Sequence, residues 1–166
     1  MGSILTSQAH TMLLKYLYNE SSMWVGIGRT TPWDDENAPP VPDPTATEVE
    51  EIVGYKVYSE KYMVKEDPNG ELIFNGKHYK IVSDPDTELP NLLYIRFDLE
   101  PTDLPIVDYR QFGLFFGLTA LPGYASNTSL LPDEVDSTGM LMAIDNRKVI
   151  HRSEDSREVI KFLLRT

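Results

Sequence analysis

The sequence contains no cysteine. Disulfides, thiolate metal sites and a cysteine nucleophile are excluded, and the redox compartment is left open. Basic charge is also scarce: 15 Lys and Arg stand against 26 Asp and Glu, for a formal net charge of -11. Nucleic acid is not an expected partner, because its affinity comes from clustered cations on phosphate; an anionic membrane is not expected on the same ground. No apolar run approaches the ~20 residues that span a bilayer. The first residues, Met1 to Gln8, lack a basic stretch followed by an apolar one, so no secretory leader is expected.

Chemical motifs are equally sparse. Gly26-Ile27-Gly28 lacks a third glycine at dinucleotide-binding spacing and leads into Thr-Thr-Pro-Trp rather than a helix. There is no Walker A pattern and no Gly-x-Ser-x-Gly elbow. His10, His78 and His151 lie far apart, with no pair at metal-ligand spacing. Asp67-Pro68-Asn69-Gly70 and Asp84-Pro85-Asp86 lack the closing Glu of a calcium loop and read as turns. Asp34, Asp35 and Glu36 form the densest acidic cluster, on a proline-rich stretch where nothing signals the burial a catalytic acid needs. No catalytic, cofactor-binding or metal-binding residue is assigned; the reading is of a chain that is no enzyme and takes no cofactor.

What is present is a foldable chain of 166 residues, 41% hydrophobic and 25% charged. Residues 3–18 predict a helix, capped by Ser3 or Thr6, with Leu5, Ala9, Met12, Leu13, Tyr16 and Leu17 at helical spacing and a stop at Asn19 to Ser22. Residues 22–28 predict a short strand. Four prolines between Pro39 and Pro44 predict an extended segment outside any sheet interior. Ile52 to Val64 reads as a long strand broken at Gly54 or Ser59, residues 71–74 and 77–82 as a hairpin around Asn75-Gly76, and Leu92 to Leu99 as a further strand. In 111–118, Phe112, Leu114, Phe116 and Leu118 alternate with Gln111, Gly113, Phe115 and Gly117; the glycines leave that second face flat, open to another backbone or a large side chain. Residues 121–138 read as loop, 140–151 as a hairpin turning at Asp145-Asn146-Arg147, and 158–164 as the last strand. The expected fold is mainly β: an antiparallel, sandwich-like domain with one N-terminal helix and an extended Pro-rich arm. One structural unit is expected, made of a helix and strand (1–33), the acidic arm (34–51) and a β domain (52–166).

Charge is unevenly placed. Residues 34–51 carry seven carboxylates and no Lys or Arg, whereas 147–166 carry six basic and three acidic residues. Complementary patches of this kind steer association, and a long extended segment with an aromatic at its base suits a neighbouring protein. Ordinary solvated surface charge is the competing reading.

Two stretches together resemble a known family. The first is Gly28-Arg29-Thr30-Thr31-Pro32-Trp33, running on through Asp34-Asp35-Glu36-Asn37-Ala38 to Pro39-Pro40-Val41-Pro42. The second comprises Tyr109-Arg110-Gln111-Phe112-Gly113, Leu131-Pro132-Asp133-Glu134, Ser137-Thr138-Gly139-Met140-Leu141, Asp145-Asn146-Arg147-Lys148-Val149-Ile150 and Glu158-Val159-Ile160-Lys161-Phe162. Their order resembles the baseplate wedge protein of T-even-like contractile-tailed phages, the gene-eight product family, of which this chain would be a shortened relative. The matching pieces cover about a third of the chain; 43–108 has no counterpart, and the prolines that follow the family's Asn-Arg pair are absent after Arg147. The resemblance implies a β-rich structural subunit of the virion tail baseplate, assembled in the host cytoplasm, that dimerises and joins other baseplate or tail proteins without catalysis or cofactor.

On that reading the candidate interaction residues are Arg29, Pro32, Trp33, Pro39, Pro40, Pro42, Arg110, Asn146 and Arg147. Arg29 would hold the arm through a carboxylate or backbone carbonyls, and Trp33 is either an interface anchor or packs on its own domain. Arg110 and Arg147 would fix loops by multidentate hydrogen bonds, Arg147 otherwise being a turn residue. Two alternatives stay open: another virion connector, such as a tail-fibre adaptor or neck protein, and a ligand- or glycan-binding β domain using Tyr55, Tyr58, Tyr62, Tyr79 and Tyr94 as stacking surfaces.

Overall fold

A computed structural model describes residues 2–20 and 22–166; Ser21, within the expected helix stop, lies outside the described residues. In chain order the elements are α1 (Ser7–Asn19), β1 (Met23–Gly28), β2 (Gly54–Val57), β3 (Glu60–Glu66), β4 (Leu72–Phe74), β5 (Lys77–Ile81), β6 (Leu92–Leu99), β7 (Tyr109–Phe116), β8 (Thr119–Ala120), β9 (Ser129–Leu130), β10 (Val135–Ser137), β11 (Met140–Ile150) and β12 (Glu158–Arg165). A 3-10 turn at Pro132–Glu134 precedes β10. The strands form two five-stranded sheets, ordered β11-β7-β1-β2-β9 and β12-β6-β3-β5-β4, and the two-stranded β10-β8. The protein is mainly antiparallel β, as expected, with one α-helix among the described residues and a proline-rich arm free of helix and strand.

The chain divides into two compact units, Met1–Ser21, Ser59–Arg96 and Lys161–Thr166 in one, Ser22–Tyr58 and Phe97–Ile160 in the other. In the first, Thr6 caps α1 by accepting from the Ala9 amide, and Lys61 closes its far end by donating to the carbonyls of Tyr18, at 2.7 Å, and Glu20. A cation on those orphan carbonyls also suits the negative end of the helix dipole. The helix buries Thr11 and Leu14, leaving Met12, Leu13 and Tyr16 exposed. The apolar stripe read from the sequence is therefore not the packed face; the face turned inward is narrower and includes a threonine that donates to the Pro90 carbonyl. Val64, Tyr79, Leu92 and Tyr94 form the core beneath β3, β5 and β6. The β4–β5 hairpin turns at Asn75 and Gly76, both with positive φ, as the Asn-Gly pair requires.

In the second unit, Trp24, Val49, Tyr55, Phe115, Leu118 and Leu130 form one cluster. Each such side chain contributes about 1.5–3 kcal/mol on burial. The opposite face of β1, with Met23, Val25 and Ile27, is wholly buried as well. The tyrosines weighed as ligand platforms are largely structural: Tyr55, Tyr79 and Tyr94 are buried, and Tyr94 stacks on Tyr62.

The break expected in the 52–64 strand falls at Ser59, and two other local expectations change. The long strand breaks after Val57, where Tyr58 donates to Met23 and Ser59 to Arg96, so the chain leaves one sheet and joins another. The loop 121–138 contains β9, the 3-10 turn and β10. The hairpin at 140–151 does not exist: β11 runs through Asp145 and Asn146, which pair with Phe112 and Gln111, and the register shifts between Leu141 and Ala143 and again between Asn146 and Ile150. The whole length of β7 is available to pair with it, which keeps Asp145-Asn146-Arg147 extended.

Candidate functional site

The arm does not stand away from its domain. Its base crosses the sheet where the sequence is flattest. Gly26 faces Gly113 across the β1–β7 pair, and Gly28 faces Gln111. A Cβ on Gly28 would lie 2.3 Å from the Glu50 carbonyl and 2.8 Å from Val49, so only glycine lets residues 49–51 cross there. The Arg29 amide donates to the Glu50 carbonyl at 2.6 Å, and the Glu50 amide donates to the Gln111 side chain at 2.7 Å. The flat second face foreseen for 111–118 is thus covered by this chain itself at Gln111, by the Glu50 backbone, and at Gly113, by Val49 and Leu141, while Gly117 stays open.

From that base three clamps hold the arm. Arg29, at φ 58, donates to the carbonyls of Thr31 (2.9 Å) and Pro32 (3.1 Å) and to the Glu50 carboxylate (2.8 Å). Its guanidinium lies 4.5 Å above the Trp33 ring. Trp33, 8% exposed, donates its indole N–H to the Arg147 carbonyl at 2.9 Å. The second clamp is the buried Arg110, which holds the Glu36 carboxylate at 2.6 Å and the Thr30 carbonyl at 2.7 Å. The third is Asn146, whose side-chain oxygen accepts from Gln111 and whose amide donates to the Pro40 carbonyl at 2.8 Å. Arg147 pairs with Asp145 at 2.7 Å and lies over the Phe112 ring. Of the residues singled out from the sequence, Arg29, Trp33, Arg110, Asn146 and Arg147 converge here; Pro32 and Pro40 lend only carbonyls.

Sequence reasoning missed Glu36, Val49, Glu50, Glu51 and Gln111. Gln111 had a signal, a long amide inside an apolar strand that demands buried partners. The others had none, because acids in an acidic segment look alike until one meets an arginine. Glu36, Glu50 and Glu51 pair with Arg110 and Arg29 rather than with 147–166. The basic end is spent elsewhere: Arg152 is buried on four backbone carbonyls and Arg157 faces Asp98 and Glu100.

The arm's outer side remains open. Val41 is 91% exposed, and Asp34, Asp35, Asp43 and Glu48 are exposed. Between Pro42–Ala46 and Leu141–Ile144 lies an open groove of about 330 Å³. The wall is β11, the outermost strand of its sheet.

The clamps are acid-sensitive. The hydrogen bond from Arg110 holds the Glu36 carboxyl below its ordinary value of 4.5, and the Thr31 hydroxyl does the same for Glu51. Groups with a depressed folded pKa stabilise above their unfolded value and lose that contribution as pH falls through the folded one. Acidification from neutrality to below the ordinary carboxylate range is therefore expected to loosen the arm before the sheets. Fluorescence of Trp33 in a Trp24→Phe chain checks this: a red shift preceding loss of β circular dichroism is the expected order, and simultaneous loss contradicts it.

Antiparallel sheets carrying a proline ridge fastened by arginine, with Asp34, Asp35, Asp43 and Glu48 exposed along it, present a surface suited to contact with another protein. The family described as "Baseplate wedge 3 tail fiber network component" matches residues 2–166, and the chain belongs to it. The chain is also 29% identical over 153 residues to virion protein 3 of Enterococcus phage phiEF24C, covering 87% of this chain and 84% of that protein. It is a structural component of a phage tail baseplate, located in the virion, and its role is contact with other baseplate or tail proteins.

Proposed function

We propose that this wedge component works entirely by protein–protein contact, without catalysis, cofactor, nucleic acid or membrane, that it self-associates, and that the clamped arm is its docking ridge for a neighbour in the tail-fibre network. In this reading Arg29, Trp33, Arg110 and Asn146 set the shape of the ridge, while Pro32, Pro39, Pro40, Pro42 and Arg147 meet the partner. Prolines suit this because they hold an extended backbone before binding and lose little entropy on docking. The supporting observation is Val41, 91% exposed on a segment otherwise tied to its own sheet. Val41 does not stand singly: the adjoining Pro42, Pro44 and Ala46 and the edge-strand residues Leu141–Ile144 line an open groove, and a contiguous apolar surface of this kind marks a contact site.

Val41→Asp is the test, since no contact within the chain depends on that side chain. Its effect on stability should fall within about 0.5 kcal/mol. Supplied to an infection by phage lacking the gene, the variant should be poorly incorporated into purified tails. Normal incorporation would remove the arm from the interface.

A further inference from the structure

Another exposed apolar surface lies elsewhere, on α1 and the residues just before its cap. Leu5 is 59% exposed, Met12 65% and Tyr16 64%, and Ile4 and Leu13 are exposed beside them. Ala9, Met12, Leu13 and Tyr16 form one stripe of α1, turned away from the side that buries Thr11 and Leu14, and Leu5 lies just before the Thr6 cap. The surface continues onto Leu89, which with Met12, Lys15, Pro85 and Asp86 lines a shallow groove along the helix.

We infer that this stripe is where the protein meets a second copy of itself, α1 lying antiparallel to the same helix across a two-fold axis. The inference rests on the self-association proposed above and names its surface. Charge singles out the occupant. Residues 1–19 contain no Asp or Glu and a single Lys, so all 26 carboxylates of the chain lie beyond them. An isologous contact sets a patch against its own copy, so the net charge of the patch is set against the same net charge. On a chain of net charge -11, most surfaces brought to their own copy would oppose acids to acids. The α1 stripe opposes none. Its one cation, Lys15, is neutralised by Asp86 at 2.6 Å. Antiparallel packing also sets each helix's positive end beside the other's negative end. Ala9, between Leu5 and Met12 along this surface, lets the helices approach, with Met12 and Leu13 beside it as the inserting side chains.

A helix of 13 residues is only about 20 Å long, so the contact is at the small end of specific interfaces. The expected dimer is weak in solution and is reinforced in an assembly. Sedimentation of the full chain over a concentration series should show a reversible monomer–dimer equilibrium. Met12→Glu combined with Tyr16→Glu should weaken it at least about tenfold while circular dichroism and melting stay as in the parent. Both side chains are already exposed, so folding should survive. A second test uses the absence of cysteine: Met12→Cys should form a disulfide-linked dimer under mild oxidation, and Ile73→Cys, exposed on β4, should not. A parent chain that stays monomeric, with Met12→Cys crosslinking no faster than Ile73→Cys, overturns both this inference and the self-association it rests on. A parent dimer indifferent to the double substitution overturns only the surface. A monomeric chain whose helix is protected solely by added tail proteins assigns the stripe to a different partner and likewise overturns it.

Discussion

Trp33→Ala is expected to release the arm and lower stability by about 3–5 kcal/mol, the usual range for truncating a buried large aromatic. Three losses coincide. The indole leaves a cavity under Arg29, the guanidinium loses the ring 4.5 Å beneath it, and the Arg147 carbonyl loses its donor. For a chain of this size that corresponds to a fall in melting temperature of roughly 10 °C. Trp33→Phe separates the parts, since it keeps most of the burial and deletes only the N–H donor; about 1–2 kcal/mol is expected. Limited proteolysis gives an independent reading, because residues 34–47 should become cleavable in Trp33→Ala and stay resistant in Trp33→Phe. A melting temperature equal to the parent's would mean that the other clamps hold the arm without the indole.

Arg152→Leu carries a comparable cost for a different reason. The buried guanidinium donates to the carbonyls of Glu100 and Asp103, each at 2.9 Å, and of Leu104 and Pro105 at 3.3 and 2.9 Å. That loop turns at Leu104, at φ 58, and is pinned again by Lys56 on Asp103 at 2.9 Å. Removing the fork leaves several carbonyls facing a space with neither donor nor room for full hydration. A loss of about 3–5 kcal/mol is expected, as for other broken buried polar networks. Arg152→Lys should recover only a minor part, because an ammonium cannot span four carbonyls from one point. Urea midpoints for the parent and both variants decide it; a lysine variant as stable as the parent would show that charge rather than fork geometry holds the loop.

Several elements were legible because their causes lie within a few residues. Leu92–Leu99 is the strand its apolar run predicts, Asn75-Gly76 turns the hairpin, and Thr6 caps the helix. The family too was readable, from short runs such as Gly28-Arg29 to Trp33 that keep their order along the chain. Within the site, the arm's anchors were recognisable as residue types, a tryptophan and arginines where extended chain needs fixing. Their partners were not. Which carboxylate Arg110 takes depends on bringing Glu36 across 74 positions of chain.

The remaining differences share that origin. Asp145-Asn146-Arg147 has turn chemistry, yet β7 offers a longer ladder, and hydrogen bonds along that ladder outweigh a local preference. The stripe of α1 has core spacing, yet the helix packs by its other side. Composition, charge, turn residues and hydrophobic period thus determined the β class, the position of most elements and the absence of familiar catalytic motifs. Tertiary structure alone decided which face of the helix is inside, whether the arm is free or fastened, and which acids are neutralised. Local preferences amount to tenths of a kcal/mol per residue, whereas pairing and burial between distant segments amount to whole ones.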